Sequence, residues 1–192
     1  AEIEYLVVQH SHFDHCGLVP YLKRKLPQMK ILGTEASRNI LAKQKVVSYI
    51  EAVNKALIDH HKMQSQYEAM DLRIDKLEIE LAVDNNTVID IGEGLAVKFI
   101  ETPGHSSCAV SVYIPALKAI FPTDAAPCPL DRVDDLVRPS PQYDFNLYRQ
   151  SLKKLLDYDI EICGFDHSAA VIGNDALKVL QNGLALCDEY SS

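Results

Sequence analysis

The feature that most constrains this chain is a histidine cluster near its start, His10-Ser11-His12-Phe13-Asp14-His15-Cys16-Gly17. Three imidazoles and one carboxylate fall within a few residues, immediately after the apolar run 3–8. A short apolar run of this kind predicts a buried strand. Imidazole and carboxylate groups that meet at a strand end suit zinc, iron or manganese. The sequence therefore predicts a metal site that the rest of the chain must complete.

Three later apolar runs each end just before another residue of metal-ligand type. Residues 96–100 precede His105, residues 119–121 precede Asp124, and residues 160–163 precede His167. A histidine alone at a strand end is usually a surface or hydrogen-bonded residue. Repetition of the same context after several strands favours a real site over a chance motif.

The pattern His-x-His-x-Asp-His, followed in order by these later residues, resembles the metallo-β-lactamase superfamily of dinuclear metallohydrolases. The matching later segments are Thr102-Pro103-Gly104-His105, Pro122-Thr123-Asp124 and Gly164-Phe165-Asp166-His167. The resemblance implies that Asp124 bridges two metal ions. It implies that metal one is held by His10, His12 and His105, and metal two by Asp14, His15 and His167.

The fold that the resemblance implies is a four-layered αββα sandwich of the α/β class. We expect one domain over residues 1–192, with a helical insertion at 35–70, and the 47% hydrophobic content is enough for one sizeable core. Family members usually place a β-hairpin region before the metal motif, so we expect the domain to lack its N-terminal strands.

Three positions beside the metal-two ligands depart from the family pattern. The family commonly has glycine before the bridging aspartate and on both sides of the final histidine. This chain has Thr123, Asp166 and Ser168 there. We expect these larger side chains to reshape the surroundings of metal two.

Hydrophobic periodicity predicts most of the remaining elements. It predicts a helix over 17–26 with Leu18 on its apolar face, and a half-buried strand over 77–83. Thr34 and Asn174 are expected to cap helices. Two hairpins are expected around Gly92-Glu93-Gly94 and Pro115-Ala116. Adjacent His60 and His61 point in different directions on a helix, so we expect exposed side chains rather than a chelating pair.

Charge and composition limit the kinds of substrate and partner that we expect for this chain. The net charge of −8 argues against nucleic-acid binding, and no apolar run approaches the roughly 18–20 residues of a membrane span. We therefore expect a small-molecule substrate, no nucleic acid and no membrane, and the helical segment makes a homodimer possible. Five scattered cysteines do not form a disulfide framework, and no signal peptide is visible, which favours the cytoplasm. Cys16 is expected to be a small buried residue.

The activity that the resemblance implies is hydrolysis by a metal-bridging hydroxide. The run 15–22 and the helical segment look most like thioesterase-like members of the family, which implies a thioester or ester substrate. The expected cofactors are two divalent ions, zinc or iron, with manganese also suited to the ligands. Asp124 bridges the ions in this interpretation. Asp14 binds metal two and orients the hydroxide or passes a proton to the leaving group.

Other functions stay open at this point. Persulfide dioxygenases resemble the pattern but use one iron, and flavodiiron proteins use two but typically carry Glu where this chain has His12. A metal-stabilised binding or regulatory module is a third possibility. The proline-rich stretch 125–143 is expected to form the substrate mouth, where Arg132 or Arg138 either contacts substrate or pairs with nearby aspartates.

Overall fold

The computed structural model describes residues 3–67, 70–136, 138–168 and 170–190. The chain divides into two compact units, Ala1–Ala82 and Val83–Ser192. Within the described ranges, no helix combines the length and the apolar character that crossing a membrane requires.

The first unit contains a three-stranded parallel sheet with the order β1-β2-β3. Its strands are β1 (Tyr5–Val7), β2 (Lys30–Gly33) and β3 (Leu81–Ala82). Its helices are α1 (Phe13–Cys16), α2 (Val19–Lys25), α3 (Glu35–Leu41), α4 (Gln44–His60) and α5 (Gln64–Tyr67). The core of the unit includes Val8, Cys16 and Met29 from the first part of the chain and Val47 and Ile50 from α4.

Helices occupy the predicted helical segment 35–70, although residues 68 and 69 lie outside the described ranges. The predicted cap Thr34 is confirmed, because its side-chain oxygen accepts the Ser37 backbone N–H at 3.0 Å. Helix α4 also contacts the histidine-rich segment, since the Asn54 amide donates to the Gly17 carbonyl at 3.3 Å. A Cβ at Gly17 would lie 2.6 Å from that amide nitrogen. That Cβ would also lie 2.6 Å from the Phe13 carbonyl oxygen, so a larger residue at this position would meet the backbone as well as the Asn54 side chain.

Two predicted elements near the motif, the first strand and the helix over 17–26, begin later than predicted. The first strand begins at Tyr5 rather than residue 3, and Ile3 is 51% exposed. Leu18 is 49% exposed and precedes α2, which begins at Val19 with Pro20 in its first turn. Proline suits the first turn of a helix because the N–H it lacks has no intrahelical partner there.

The predicted strand over 77–83 is also wrong, because only Leu81–Ala82 forms a strand. Leu77 and Ile79 are buried as the alternation predicts. However, side chains make some of the bonds to the backbone that a neighbouring strand would otherwise make. The Ile31 N–H donates to the Glu80 carboxylate at 3.0 Å, and the Arg38 guanidinium donates to the Ile79 carbonyl at 3.0 Å. Apolar periodicity carries no information about these side-chain bonds.

The second unit contains a six-stranded mixed sheet with the order β4-β5-β6-β7-β8-β9. Its strands are β4 (Val88–Gly92), β5 (Leu95–Glu101), β6 (Val110–Ile114), β7 (Ala119–Phe121), β8 (Ile162–Gly164) and β9 (Ala170–Ile172). Both predicted hairpins, β4-β5 and β6-β7, are confirmed. Strand β9 was not predicted.

Strands β7 and β8 are the parallel pair in this sheet. Ala119 pairs with Ile162 and Ile120 with Cys163, so both strands end at the same edge. One position further, a Cβ on Gly164 would lie 2.7 Å from the Phe121 ring. Glycine thus lets the Phe121 ring lie against the end of β8. The segments that carry Asp124 and His167 leave the sheet side by side.

Two amphipathic helices, α6 (Phe145–Leu155) and α7 (Asn174–Glu189), cover the core of this unit. Asp144 caps α6, since its carboxylate accepts the Leu147 N–H at 2.8 Å. The prediction that Asn174 caps α7 is wrong by one position, because the cap is Gly173 at φ 65°. Glycine adopts this left-handed conformation without a Cβ clash. Its N–H also donates to the Glu161 carbonyl at 2.8 Å.

Gly104, directly before His105, is where α6 approaches the ligand-bearing loop. It has φ 143°, and an added Cβ would lie 2.2 Å from the Tyr148 Cα. Its carbonyl accepts the N–H groups of Tyr143 and Asp144, both at 3.0 Å. The loop and the start of α6 are thereby fixed to each other.

We expect Gly104→Ala to lower the free energy of unfolding by about 2–5 kcal/mol, the sum of overpacking and left-handed strain. The matched control is Gly92→Ala, at φ 86° with open space around its Cβ position, which should cost only about 1–2 kcal/mol. Urea unfolding of both variants measures the difference. Equal losses in the two variants would contradict the close packing of α6 on Gly104.

Candidate metal centre

In the first unit, the three motif histidines lie together directly after β1. The His10 ring centroid lies 4.7 Å from that of His12 and 3.9 Å from that of His15. His10 is fully buried and His12 is half-buried. The Asp14 carboxylate lies 3.5 Å from His15 Nε2. The structure thus brings together the four ligand-type residues that the sequence places in this unit.

The one-turn helix α1 produces this convergence. His12 is extended, with φ −71° and ψ 150°, and α1 begins at the next residue. The Cys16 thiol donates to the His12 carbonyl at 3.1 Å, which ties the end of the turn to its start. Cys16 is fully buried, so the prediction of a small buried residue is confirmed. The chain reverses within a few residues, and Asp14 and His15 return toward the preceding imidazoles.

In the second unit, Asp124 lies between two imidazoles. Its Oδ2 is 3.2 Å from His105 Nε2, and its Oδ1 is 3.4 Å from His167 Nε2. His105 is 4% exposed, whereas the side chain of His167 is about half exposed. One carboxylate therefore presents a different oxygen to each of two histidines. This arrangement is compatible with a carboxylate that binds one ion through each oxygen.

A backbone carbonyl fixes the orientation of the His105 ring. Nδ1 lies 2.6 Å from the Ser140 carbonyl oxygen, which can only accept, so Nδ1 carries the proton. Metal-binding histidines commonly donate their second ring nitrogen in this way. Sequence reasoning missed Ser140, because every residue has a backbone carbonyl. The only signal available was its place in the proline-rich stretch 125–143.

The donor chemistry fits divalent ions. With the Ser140 carbonyl bonded to Nδ1, the other ring nitrogen of His105, Nε2, faces a carboxylate oxygen of Asp124 that offers lone pairs. A proton or a cation between the two atoms makes that contact favourable. Imidazole nitrogen and carboxylate oxygen are ligands of zinc, iron and manganese. The residues of each unit therefore suit metal binding.

Two of the positions that depart from the family pattern bond to each other. The Thr123 hydroxyl donates to the Asp166 carboxylate at 2.7 Å. Thr123 precedes Asp124, and Asp166 precedes His167. The two departures therefore form a single contact beside the two metal-ligand candidates.

Three cysteines of this unit, Cys128, Cys163 and Cys187, do not suit nucleophilic catalysis. Burial raises the pKa of the Cys163 thiol to about 12 and that of Cys187 to about 11. Burial also raises the pKa of Cys128, whose thiol is bonded to Ser168. A nucleophilic cysteine needs a lowered pKa. These three therefore remain thiols near neutral pH.

Other predicted candidates lie on the surface. His60 and His61 are both exposed, with ring centroids 5.0 Å apart, which confirms the prediction of surface side chains. Arg132 and Arg138 are also exposed. Arg138 lines a shallow cavity of about 340 Å³ together with Phe145 and Tyr190. A contact between either arginine and a substrate stays a prediction.

A match to the sequence model of a protein family shows which family the chain belongs to. The sequence model described as "Metallo-beta-lactamase superfamily" matches residues 1–167, which include all of the predicted ligands. The chain belongs to the metallo-β-lactamase superfamily. Members of this superfamily are generally metallohydrolases and typically bind divalent metals. The predicted α/β metallo-β-lactamase fold, with mixed sheets and helices, is confirmed.

Individual relatives agree with this membership. The metallo-beta-lactamase fold-containing protein ST1585 of Sulfurisphaera tokodaii is 25% identical over 170 residues, which are 88% of this chain and 62% of that protein. The chain thus spans less than two thirds of this curated relative. The crystal structure of ST1585, from Sulfolobus tokodaii, aligns with TM-score 0.72 and 26% identity, covering 96% of this chain and 67% of that one.

A more distant structure shows the fold alone. The flavodiiron core of Flv1 from Synechocystis aligns with TM-score 0.63 and 15% identity. The alignment covers 98% of this chain and 44% of that one. At this identity the match carries no information about the reaction of the present chain.

We expect added zinc to stabilise the protein. At 100 times the Kd, binding to the folded state alone adds about 2.7 kcal/mol, or roughly 5–10 °C in Tm for a chain of this length. Asp124→Ala should remove most of this rise, because both carboxylate oxygens face imidazoles. The exposed control His60→Ala should keep it. An equal rise in Asp124→Ala and wild type, measured by calorimetry, would indicate zinc bound elsewhere.

Proposed function

We propose that the chain is a metal-dependent hydrolase with a two-metal centre that cleaves a thioester or ester of a small molecule. The observation that carries this proposal is the Asp124 carboxylate, whose two oxygens face His105 and His167 separately. A site for a single ion would not need two imidazoles on opposite oxygens of one carboxylate. Membership of a superfamily of metallohydrolases supports the same conclusion.

The proposed ligand sets follow the order of the family. His10, His12 and His105 hold the first ion, and Asp14, His15 and His167 hold the second, with Asp124 shared. The support within the first unit is the convergence of the three imidazoles. The support within the second is the pair of contacts that Asp124 makes.

Two ions held by these residues would supply polarisation of a carbonyl oxygen and a water molecule of lowered pKa. The protein's own groups perform the remaining tasks. Asp124 fixes the spacing of the two positions. The Ser140 carbonyl holds the His105 ring so that Nε2 points toward Asp124. Asp14 is exposed and able to reach a substrate, so we assign to it the role of accepting the proton that the attacking water loses and passing it to the leaving group.

The proposed substrate class, a thioester or an ester, is supported by sequence likeness. Its support is the likeness of residues 15–22 and of the helical segment to thioesterase-like members of the superfamily. The helices in this segment and the close approach of α4 to Gly17 agree with that likeness. We also propose that the protein acts in the cytoplasm, where its five cysteines would stay reduced.

A mononuclear iron dioxygenase acting on a persulfide is the second candidate function. His12 disfavours the flavodiiron alternative, which typically has glutamate at that position. Metal content separates the two remaining enzymes, since the hydrolase requires about two ions per chain and the dioxygenase one iron. Oxygen uptake with glutathione persulfide would favour the dioxygenase. Tight binding of a ligand without turnover would favour a regulatory module.

We expect metal-loaded protein to hydrolyse at least one member of a panel of acyl thioesters and esters. Both His105→Ala and Asp124→Ala should lower kcat/KM by at least about a hundredfold, since even the outer partners of metal ligands cost 10–100-fold. The exposed control His61→Ala should keep full activity. Turnover retained by metal-depleted Asp124→Ala would contradict the mechanism.

A further inference from the structure

The parallel register of β7 and β8 continues beyond the strands themselves. Ala119 pairs with Ile162 and Ile120 with Cys163, a constant separation of 43 residues along the chain. The same separation joins Phe121 to Gly164, where the Phe121 ring contacts the glycine. It also joins Thr123 to Asp166, and Asp124 to His167. Side chains therefore maintain the register of the two segments after the backbone ladder has ended.

Thr123 has an unusual backbone for its residue type. Its φ is +51°, and it is 2% exposed. A β-branched residue in the left-handed region is a genuine outlier, because its Cβ is crowded there. Glycine would adopt this conformation without strain. The side chain that is present instead donates its hydroxyl to Asp166 at 2.7 Å.

We propose that Thr123 and Asp166 form a positioning pair that sets the separation of Asp124 and His167, and through it the affinity of the second metal position. This inference rests on the proposed function, since it assigns His167 to a second ion. The bond joins the residue before Asp124 to the residue before His167, so it fixes both backbones one position from the two ligand side chains. Neither Thr123 nor Asp166 is assigned any contact with substrate.

The pair acts on one ion position rather than on both. His105 is held separately, by the Ser140 carbonyl and the close packing of Gly104 on Tyr148. The position of His167 relative to Asp124, in contrast, depends on two chain segments that have just left the sheet. Loss of the Thr123 hydroxyl should therefore weaken the metal position that includes His167 and spare the one that includes His105.

The test is a zinc titration of the full chain against a chromophoric chelator, with no substrate present. Thr123→Val keeps the branched shape and removes the hydroxyl, and should weaken one of the two zinc steps by about 10–100-fold. Thr123→Ser keeps the hydroxyl and should bind like wild type. Thr87→Val is the matched control, because Thr87 donates to Asp84 at 2.8 Å in an exposed turn. It should change neither step.

A double variant tests whether the two residues act through one bond. Thr123→Val combined with Asp166→Ala should bind zinc no more weakly than Asp166→Ala alone, because contacting residues that share one interaction are not additive. Additive losses would overturn the proposed pair. If Thr123→Val fails to fold, Thr123→Gly removes the same hydroxyl and suits the positive φ, and its two zinc steps decide in the same way.

The outcomes separate this inference from the proposed function. Selective loss of one zinc step in Thr123→Val, with Thr123→Ser normal, supports the positioning pair. Two normal zinc steps in Thr123→Val, or equal weakening of both, overturn it and leave the two-metal centre standing. A wild-type protein that binds a single zinc overturns both proposals, since no second ion would exist for the pair to position.

Discussion

The parallel pairing of β7 with β8 is the constraint on which the arrangement of the second unit depends. Parallel strands end at the same edge of a sheet, so the residues that follow them lie side by side. Here that geometry delivers Asp124 and His167 to one place, with Thr123 bonded to Asp166 one residue earlier. The helices α6 and α7 pack their apolar faces on the core that includes Ile120 and Cys163 of the same strands. The core therefore holds the register on which the ligand contacts depend.

The chemistry of the candidate centre follows from which atoms these elements bring together. Asp124 presents one oxygen to each of two imidazoles, and a backbone carbonyl sets the orientation of the His105 ring. Groups that offer lone pairs to one another repel unless a proton or a cation lies between them. Burial meanwhile raises the pKa values of Cys128, Cys163 and Cys187, which disfavours these three thiols as nucleophiles. Imidazole nitrogen and carboxylate oxygen are ligands that divalent ions accept, which supports the proposed metal-dependent chemistry.

The sequence was sufficient to predict those parts of the structure that depend on residue type and local pattern. Both hairpins, the Thr34 cap and the buried Cys16 were predictable, because turn residues and apolar periodicity specify them directly. It failed for the segment before β3, where distant side chains bond to the backbone: Arg38 donates to the Ile79 carbonyl, and the Glu80 carboxylate accepts the Ile31 N–H of β2. Ser140 was unpredictable because its contribution is a carbonyl that every residue has. The seven proposed ligands came from motif order, and their joint role in one centre remains a proposal.

A crystal structure of the metal-loaded protein, with anomalous scattering collected at the metal edge, tests the central claim most directly. The account predicts two anomalous peaks roughly 3.5–4 Å apart. One oxygen of Asp124 should lie on each ion, with His105 at the first and His167 at the second. A single peak, or two peaks with Asp124 bound to only one of them, would contradict the account.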